Sequence, residues 1–91
     1  MTTDRYRVEF AGTVRRAVNR MPEKAARAAA EFCFGPVAAN PHRVGKPLQR
    51  DLIGYRSARR GDYRVSYRID DTARMVHVVR IEHRGDVYRP R

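Results

Sequence analysis

The 91-residue chain has a single cysteine, Cys33, which excludes an internal disulfide and a metal site built on several cysteines. Long apolar runs are also missing. The longest uncharged stretch, residues 32–42, is too short to span a bilayer and contains Pro36 and Pro41. Residues 1–10 lack the apolar segment of a signal peptide. We therefore expect a cytoplasmic protein with Cys33 in its core and no membrane partner.

Several motifs of catalysis and cofactor binding are absent as well. The sequence contains no glycine-rich phosphate loop and no nucleophile elbow. His42 and His77 have no metal-ligand spacing with each other or with acidic residues. We therefore expect the protein to use neither a metal nor a cofactor.

Lysine is scarce, because only Lys24 and Lys46 among the 20 basic residues are lysines and the others are arginines. Ten acidic residues leave a net charge of +10, and residues 41–91 carry +7 of it, from thirteen bases and six acids. A charge of this size indicates a polyanionic partner such as nucleic acid. Genomic base composition is the simpler explanation for arginine over lysine, so the positions of the arginines are more informative than their number.

The length fits one domain, residues 1–91, with a single core. Apolar residues alternate over residues 5–10, which predicts a half-buried strand. Apolar positions then recur with helical spacing over residues 14–21 and 25–37, with Pro22 between them. This pattern predicts two antiparallel helices.

Three further strands are predicted over residues 52–60, 63–70 and 75–82, after a connecting segment at residues 41–51. Gly61-Asp62 supplies a tight turn between the first two of them. The order β-α-α-β-β-β predicts an α+β fold in which a helical hairpin packs on one face of a mostly antiparallel four-stranded sheet. The other face should be open, with Arg64 pointing onto it.

Two basic segments share a motif. Arg56 to Tyr67 reads RSARRGDYRVSY and His83 to Arg89 reads HRGDVYR, so each contains Gly-Asp followed by Tyr-Arg. Arginine binds phosphates through two parallel hydrogen bonds, and a tyrosine ring stacks on a base. We predict that the segments meet and form an RNA site. The candidate RNA-binding residues are Arg56, Arg59, Arg60, His83 and Arg89.

Taken together, the element order and the stretches PHRVGKPL, SARRGDYRVSYRID and HRGDVYR resemble the RelE/ParE superfamily of toxins from bacterial type II toxin–antitoxin systems, and within it the RelE branch. The resemblance implies a ribosome-dependent endoribonuclease that cleaves mRNA in the A site and stops translation. It implies a metal-independent reaction in which the 2′-hydroxyl attacks the phosphodiester. It also implies an acidic antitoxin from an adjacent gene, with promoter DNA bound only through that antitoxin.

The family's functional positions can be carried over to this sequence. The arginine that follows a tyrosine on the third strand matches Arg64, the arginine at the end of the last strand matches Arg84, and the C-terminal tyrosine matches Tyr88. Two lysines on the family's second strand fall at Tyr55 and Ser57, so this basic pair is absent. Arg56 and Arg59 are the candidates to replace it.

These residues suggest a division of roles in the reaction. Arg64 and Arg84 would clamp the phosphate as permanently charged donors. Arginine is a poor base, which makes Tyr88 the candidate base. His83 is the alternative, with an ordinary pKa of about 6.5. Glu82 and Asp86 are interpreted as partners of arginines rather than as catalysts.

Two other functions remain open from the sequence alone. The first is non-enzymatic inhibition of DNA gyrase, as in the ParE branch. The second is a basic RNA-binding domain without catalysis. The arrangement of Tyr88 with Arg64 and Arg84 favours the endoribonuclease, because an inhibitor that acts by binding needs no tyrosine beside a phosphate clamp.

Overall fold

The computed structural model describes residues 5–83. Its strands and α-helices are β1 Arg7–Phe10, α1 Gly12–Arg20, α2 Glu23–Phe32, α3 Pro41–Val44, β2 Lys46–Pro47, β3 Tyr55–Arg60, β4 Tyr63–Asp70 and β5 Met75–His83. A π-helical turn, Cys33–Val37, extends α2, and a 3-10 turn, Arg50–Leu52, precedes β3. The predicted α+β class is confirmed.

The sheet has five strands in the order β1-β5-β4-β3-β2 rather than the four that were predicted. β1 runs parallel to β5, and the other pairs are antiparallel. The additional strand, β2, lies in the predicted connecting segment and has only two residues, one of them Pro47. A proline that cannot donate to the ladder is suited to an edge strand, and two residues are too few to show alternation. β3 begins at Tyr55, because the 3-10 turn occupies the preceding residues.

The two helices follow the predicted pattern at their boundaries. α1 ends at Arg20, and Pro22 is the residue before the first turn of α2. α2 passes into the π-helical turn where Pro36 lies, and the helical stretch stops at Asn40. A π-helical turn accommodates a proline because the hydrogen-bond ladder is already offset by one residue.

The core lies between the helices and one face of the sheet. Its most deeply buried members are Val14, Ala29, Cys33 and Val37 from the helical side and Val65, Tyr67, Val76 and Val78 from the sheet. Full burial of a valine side chain contributes about 1.5–3 kcal/mol, so the buried valines of the sheet and of α1 contribute substantially to the attachment of the helices. The predicted core position of Cys33 is confirmed.

No helix within residues 5–83 is long and apolar enough to cross a membrane. Over the same residues, no group of three or more His, Cys, Asp or Glu side chains is arranged to hold a metal ion.

Candidate nucleic-acid interface

A two-residue turn joins β3 to β4. Arg60 pairs with Tyr63, so Gly61 and Asp62 form the loop as predicted. Gly61 has a φ of +59°, in the left-handed region that glycine enters at no steric cost. The glycine of the Gly-Asp motif thus has a structural function: it lets β3 fold back and lie beside β4.

The register of this hairpin brings two arginines together. Arg59 pairs with Arg64 on β4, and Arg64 pairs in turn with Glu82 on β5. Residues directly opposite each other on neighbouring strands have their side chains on the same face. Arg59 and Arg64 are exposed and Glu82 is half-buried, so these three residues form a row across the face that the helices do not cover. The orientation predicted for Arg64 is the one observed.

Further polar residues extend this row. We call the resulting surface the polar sheet face; it consists of Ser57, Arg59, Arg64, Ser66, Arg68, Arg80 and Glu82. Arg80 Nη2 lies 3.0 Å from Glu82 Oε2. Tyr55, which pairs with Arg68, lies on the same side of the sheet. The two positions where the family has its lysines, Tyr55 and Ser57, are therefore on this side, together with Arg59.

Arg56 and Arg60 point the other way. Arg56 Nη2 donates hydrogen bonds to the carbonyl oxygens of His42, at 2.6 Å, and Gly45, at 2.9 Å. The Arg60 guanidinium lies over the Phe32 ring, 5.3 Å from its centroid. The four clustered arginines are thus divided between the two faces. Of the two candidates to replace the missing lysines, Arg59 has the right orientation and Arg56 does not.

Of the candidate site residues near the end of the chain, the structure describes only His83. His83 pairs with Tyr63, whose side chain is buried on the helix side, so His83 faces away from Arg64. This position contradicts the alternative in which His83 acts as the base beside Arg64. Arg84, Tyr88 and Arg89 lie outside the described residues.

Sequence reasoning missed Arg80, but its interpretation of Glu82 as the partner of an arginine is confirmed by the contact with Arg80. Arg80 was missed because β5 contains an irregularity. Ser66 pairs with Arg80 but Tyr67 pairs with Val78, so Val79 is an extra residue. A bulge of this kind reverses the inside–outside alternation of the residues that follow. The sequence indicates this bulge only weakly, because charged residues begin to alternate with Ile81 only after position 79.

A second polar cluster lies at the opposite end of β4. Asp71 Oδ1 accepts hydrogen bonds from the Tyr6 hydroxyl, at 2.5 Å, and from His42 Nε2, at 2.8 Å. The Arg74 guanidinium lies 4.5 Å from the centroid of the Tyr6 ring. The hydrogen bonds from His42 and then Tyr6 hold the pKa of Asp71 below its ordinary value. The hydrogen bond to Asp71 raises the pKa of Tyr6.

The thiol of Cys33 is not a nucleophile in the folded protein. Its side chain is fully buried, and burial raises its pKa to about 12. Because the thiolate is the reactive form, this cysteine contributes to packing alone.

Comparison with known proteins assigns the chain to a family. The family model for the ParE toxin of type II toxin–antitoxin systems matches residues 6–88. The chain belongs to this toxin family. Toxin RelE of Mycobacterium tuberculosis is 52% identical to it over 84 residues, which are 92% of this chain and 87% of that toxin. Toxin RelG of the same organism is 49% identical, over 92% of this chain and 97% of its own length.

Solved structures agree with the assignment to the toxin family. The match to the RelBE2 toxin–antitoxin complex of Mycobacterium tuberculosis has a TM-score of 0.86 and 48% identity, covering 88% of this chain and 99% of that one. The isolated RelE toxin of Escherichia coli has a TM-score of 0.70 over 91% of this chain and 90% of its own, but 14% identity, and shows the fold alone. The resemblance seen in the sequence is confirmed, and the toxin belongs to the RelE branch.

Proposed function

We propose that this toxin is a ribosome-dependent endoribonuclease that cleaves mRNA in the A site and so stops translation. The observation that carries the proposal is the direct pairing of Arg59 with Arg64 on an exposed sheet face. Like charges placed opposite each other destabilise a sheet, and a bound phosphate removes that repulsion. An arrangement that is unfavourable in the free protein is well suited to hold an anion.

The reaction needs the negative charge that develops on the phosphorus centre to be stabilised. Arg59 and Arg64 supply fixed guanidinium groups that remain charged throughout. Arg84 is proposed as a second clamp and Tyr88 as a proton-transfer group, since both match functional positions of the family. In this proposal the 2′-hydroxyl attacks the phosphodiester and no metal takes part.

The ribosome has a specific part in this proposal. Within residues 5–83 the polar sheet face is an open surface, and none of these residues forms a wall that would fix the angle of attack on a flexible RNA. Holding the mRNA in one conformation can lower the barrier by about 7–11 kcal/mol. We therefore expect purified toxin to cleave free RNA far more slowly than mRNA on a ribosome.

We also propose that an acidic antitoxin from an adjacent gene silences the toxin. Related toxins have been solved as complexes with an antitoxin in Mycobacterium tuberculosis, Pyrococcus horikoshii and Methanococcus jannaschii. The +10 charge and the exposed arginines suit an acidic segment that orders on binding across the sheet or along its edge. Promoter DNA would be bound only through the antitoxin.

The test is single-turnover cleavage of mRNA on programmed ribosomes. Arg64→Ala should reduce the rate by about 10²–10³, the usual effect of removing one donor to a developing oxyanion. Arg27→Ala is the matched control, because Arg27 lies on α2, exposed, in an ion pair with Glu23 at 3.4 Å. The control should cleave like the wild type.

The ParE-like alternative gives a different result in cells. If induction of the toxin left translation and mRNA 5′ ends intact while inducing an early DNA-damage response, gyrase would be the target and the ribonuclease proposal would be wrong.

A further inference from the structure

The polar sheet face contains a carboxylate next to its central arginine. Glu82 is the cross-strand partner of Arg64 on β5, and Arg59 is the partner of Arg64 on β3. The Glu82 side chain is 30% exposed, whereas Arg80, which it contacts at 3.0 Å, is 69% exposed. The carboxylate is therefore held close to the sheet by its contact with Arg80, on the strand next to that of Arg64.

A carboxylate is out of place on a surface that only binds phosphate. Two like charges 4 Å apart repel by about 1 kcal/mol in water and about 4 kcal/mol at the effective dielectric constant near a protein surface. Replacing Glu82 by a neutral residue would leave Arg80 available to bind RNA as well. The presence of an acid at this position therefore points to chemistry rather than to binding.

The proposed reaction also needs a base near the phosphate, and the residues that pair with Arg64 are the first place to look for one. Arginine cannot be deprotonated at any pH the protein encounters. His83 faces the helix side. Of the two residues opposite Arg64, only Glu82 can accept a proton. Directly opposite Cβ atoms lie about 4.5–5.5 Å apart, which places the Glu82 side chain beside that of Arg64 on the same face of the sheet.

We propose that Glu82 is the general base of the cleavage reaction, an inference that rests on the ribonuclease function proposed above. The 2′-hydroxyl gives its proton to the Glu82 carboxylate, and its oxygen forms a bond to phosphorus. The bond between phosphorus and the 5′-oxygen breaks, and the leaving oxygen takes a proton from water. The products are a 2′,3′-cyclic phosphate and a 5′-hydroxyl.

Arg80 is a positioning residue in this scheme. Its contact with Glu82 Oε2 orients the carboxylate. The charged groups that face Glu82 are Arg64 from β4, with Arg59 beyond it on β3, and Arg80 on its own strand. All of them carry fixed charge, so the proton-accepting step depends on Glu82 itself.

The test compares Glu82→Gln with the wild type in single-turnover cleavage on programmed ribosomes. Loss of a general base should reduce the rate by about 10²–10⁴, although ribosome binding is as strong as in the wild type or stronger. Between about pH 6 and 8.5 the variant should become faster by about tenfold per pH unit, because hydroxide must replace the base, whereas the wild type should show no such rise. Glu82→Asp should retain the flat profile at a reduced rate.

Glu9→Gln is the matched control. Glu9 lies on the same side of the sheet, on β1, and pairs with His77 at 3.3 Å instead of facing Arg64. This variant should cleave within about twofold of the wild type.

Several results would overturn the assignment. A Glu82→Gln rate within about threefold of the wild type would remove Glu82 from the reaction and leave the ribonuclease function standing. An equal loss in Glu82→Gln and Arg80→Gln, both with the flat wild-type pH profile, would make Glu82 a partner of Arg80 alone. Intact mRNA on ribosomes with the wild-type toxin would refute the proposed function itself, and this inference with it.

Discussion

The hydroxyl of Tyr67 occupies the space in which a side chain at position 45 would lie. Tyr67 is fully buried and donates a hydrogen bond to the Pro41 carbonyl at 2.6 Å. A Cβ at Gly45 would overlap the hydroxyl oxygen and lie 3.0 Å from the ring carbon that bears it. The backbone at Gly45, with φ −101° and ψ 161°, suits any residue. Glycine is required here for space and not for conformation.

This contact predicts a coupled pair of substitutions. Gly45→Ala should lower the free energy of unfolding by about 1–3 kcal/mol through overpacking. Tyr67→Phe should lower it by about 1–3 kcal/mol, because the Pro41 carbonyl loses its partner. The double variant should lose less than the sum, since Phe removes the overlapping oxygen. Urea unfolding of the three variants measures the coupling.

Gly35→Ala is the control for this cycle. No atom lies within 4 Å of a Cβ at Gly35, which lies in a helical turn, so its substitution should not destabilise the protein and should add about 0.4–1 kcal/mol to the free energy of unfolding. Strictly additive losses in the Gly45 and Tyr67 variants would show that the loop around Gly45 moves away from the sheet instead of pressing on the ring.

At the scale of elements, the cluster around Asp71 joins three parts of the fold that are distant in sequence. Tyr6 precedes β1, His42 lies in α3, and Asp71 lies in the turn between β4 and β5. The backbone adds one more connection, from Tyr6 N to the Ala38 carbonyl at 2.8 Å. The first strand is thereby tied to the helical side and to the turn as well as to β5.

The lowered pKa of Asp71 predicts a pH-dependent contribution to stability. A carboxyl whose pKa is lower in the folded protein stabilises it above the ordinary aspartate pKa of about 3.9 and loses this effect as the pH falls through the folded value. Asp71→Asn should therefore lower the Tm at pH 7, and the difference from the wild type should shrink as the pH falls below that range. Thermal unfolding between about pH 7 and 3 tests this.

Asp62→Asn serves as the control, because it removes an exposed carboxylate from the other hairpin turn. If the difference in Tm between Asp71→Asn and the wild type stayed constant down to about pH 3, the hydrogen bonds to Asp71 would not depend on its charge.

The local elements could be predicted from the sequence, whereas the non-local pairings could not. Alternation over β4 and helical spacing over α1 and α2 are short-range signals, and they located these elements and the exposed side chain of Arg64. The parallel pairing of β1 with β5 leaves no local pattern. Because Val79 is an extra residue in β5, the buried positions before it and after it do not follow one alternating pattern. The sequence therefore does not reveal on which side of the sheet Glu82 lies.

At the scale of the whole molecule, the chain carries a net charge of +10, and the polar sheet face has four arginines against one glutamate. Each phosphate contact contributes about 0.7–0.9 to the slope of log K against log salt concentration. Arg68→Gln, on the polar sheet face, should therefore weaken ribosome binding and reduce that slope by about one. Arg27→Gln should leave the slope unchanged. Titrations of ribosomes between about 50 and 200 mM salt give both values.

If the slope of log K against log salt concentration fell equally for Arg68→Gln and Arg27→Gln, the binding surface would have to include the helices. No change in either would mean that Arg68 contacts no phosphate and that the interface is confined to the other arginines of the face.

The position of β5 in the sheet has a consequence for the timing of synthesis. β5 is the last of the described elements to be made, yet it lies between β1, among the first, and β4. Until β5 has left the exit tunnel, β1 has no strand to pair with, and Arg64 has no neighbour on that side. Because domains fold as units during translation, the polar sheet face is completed only after β5 has been made. The nascent chain thus carries β3 and β4 without the third member of the row, Glu82, until β5 emerges.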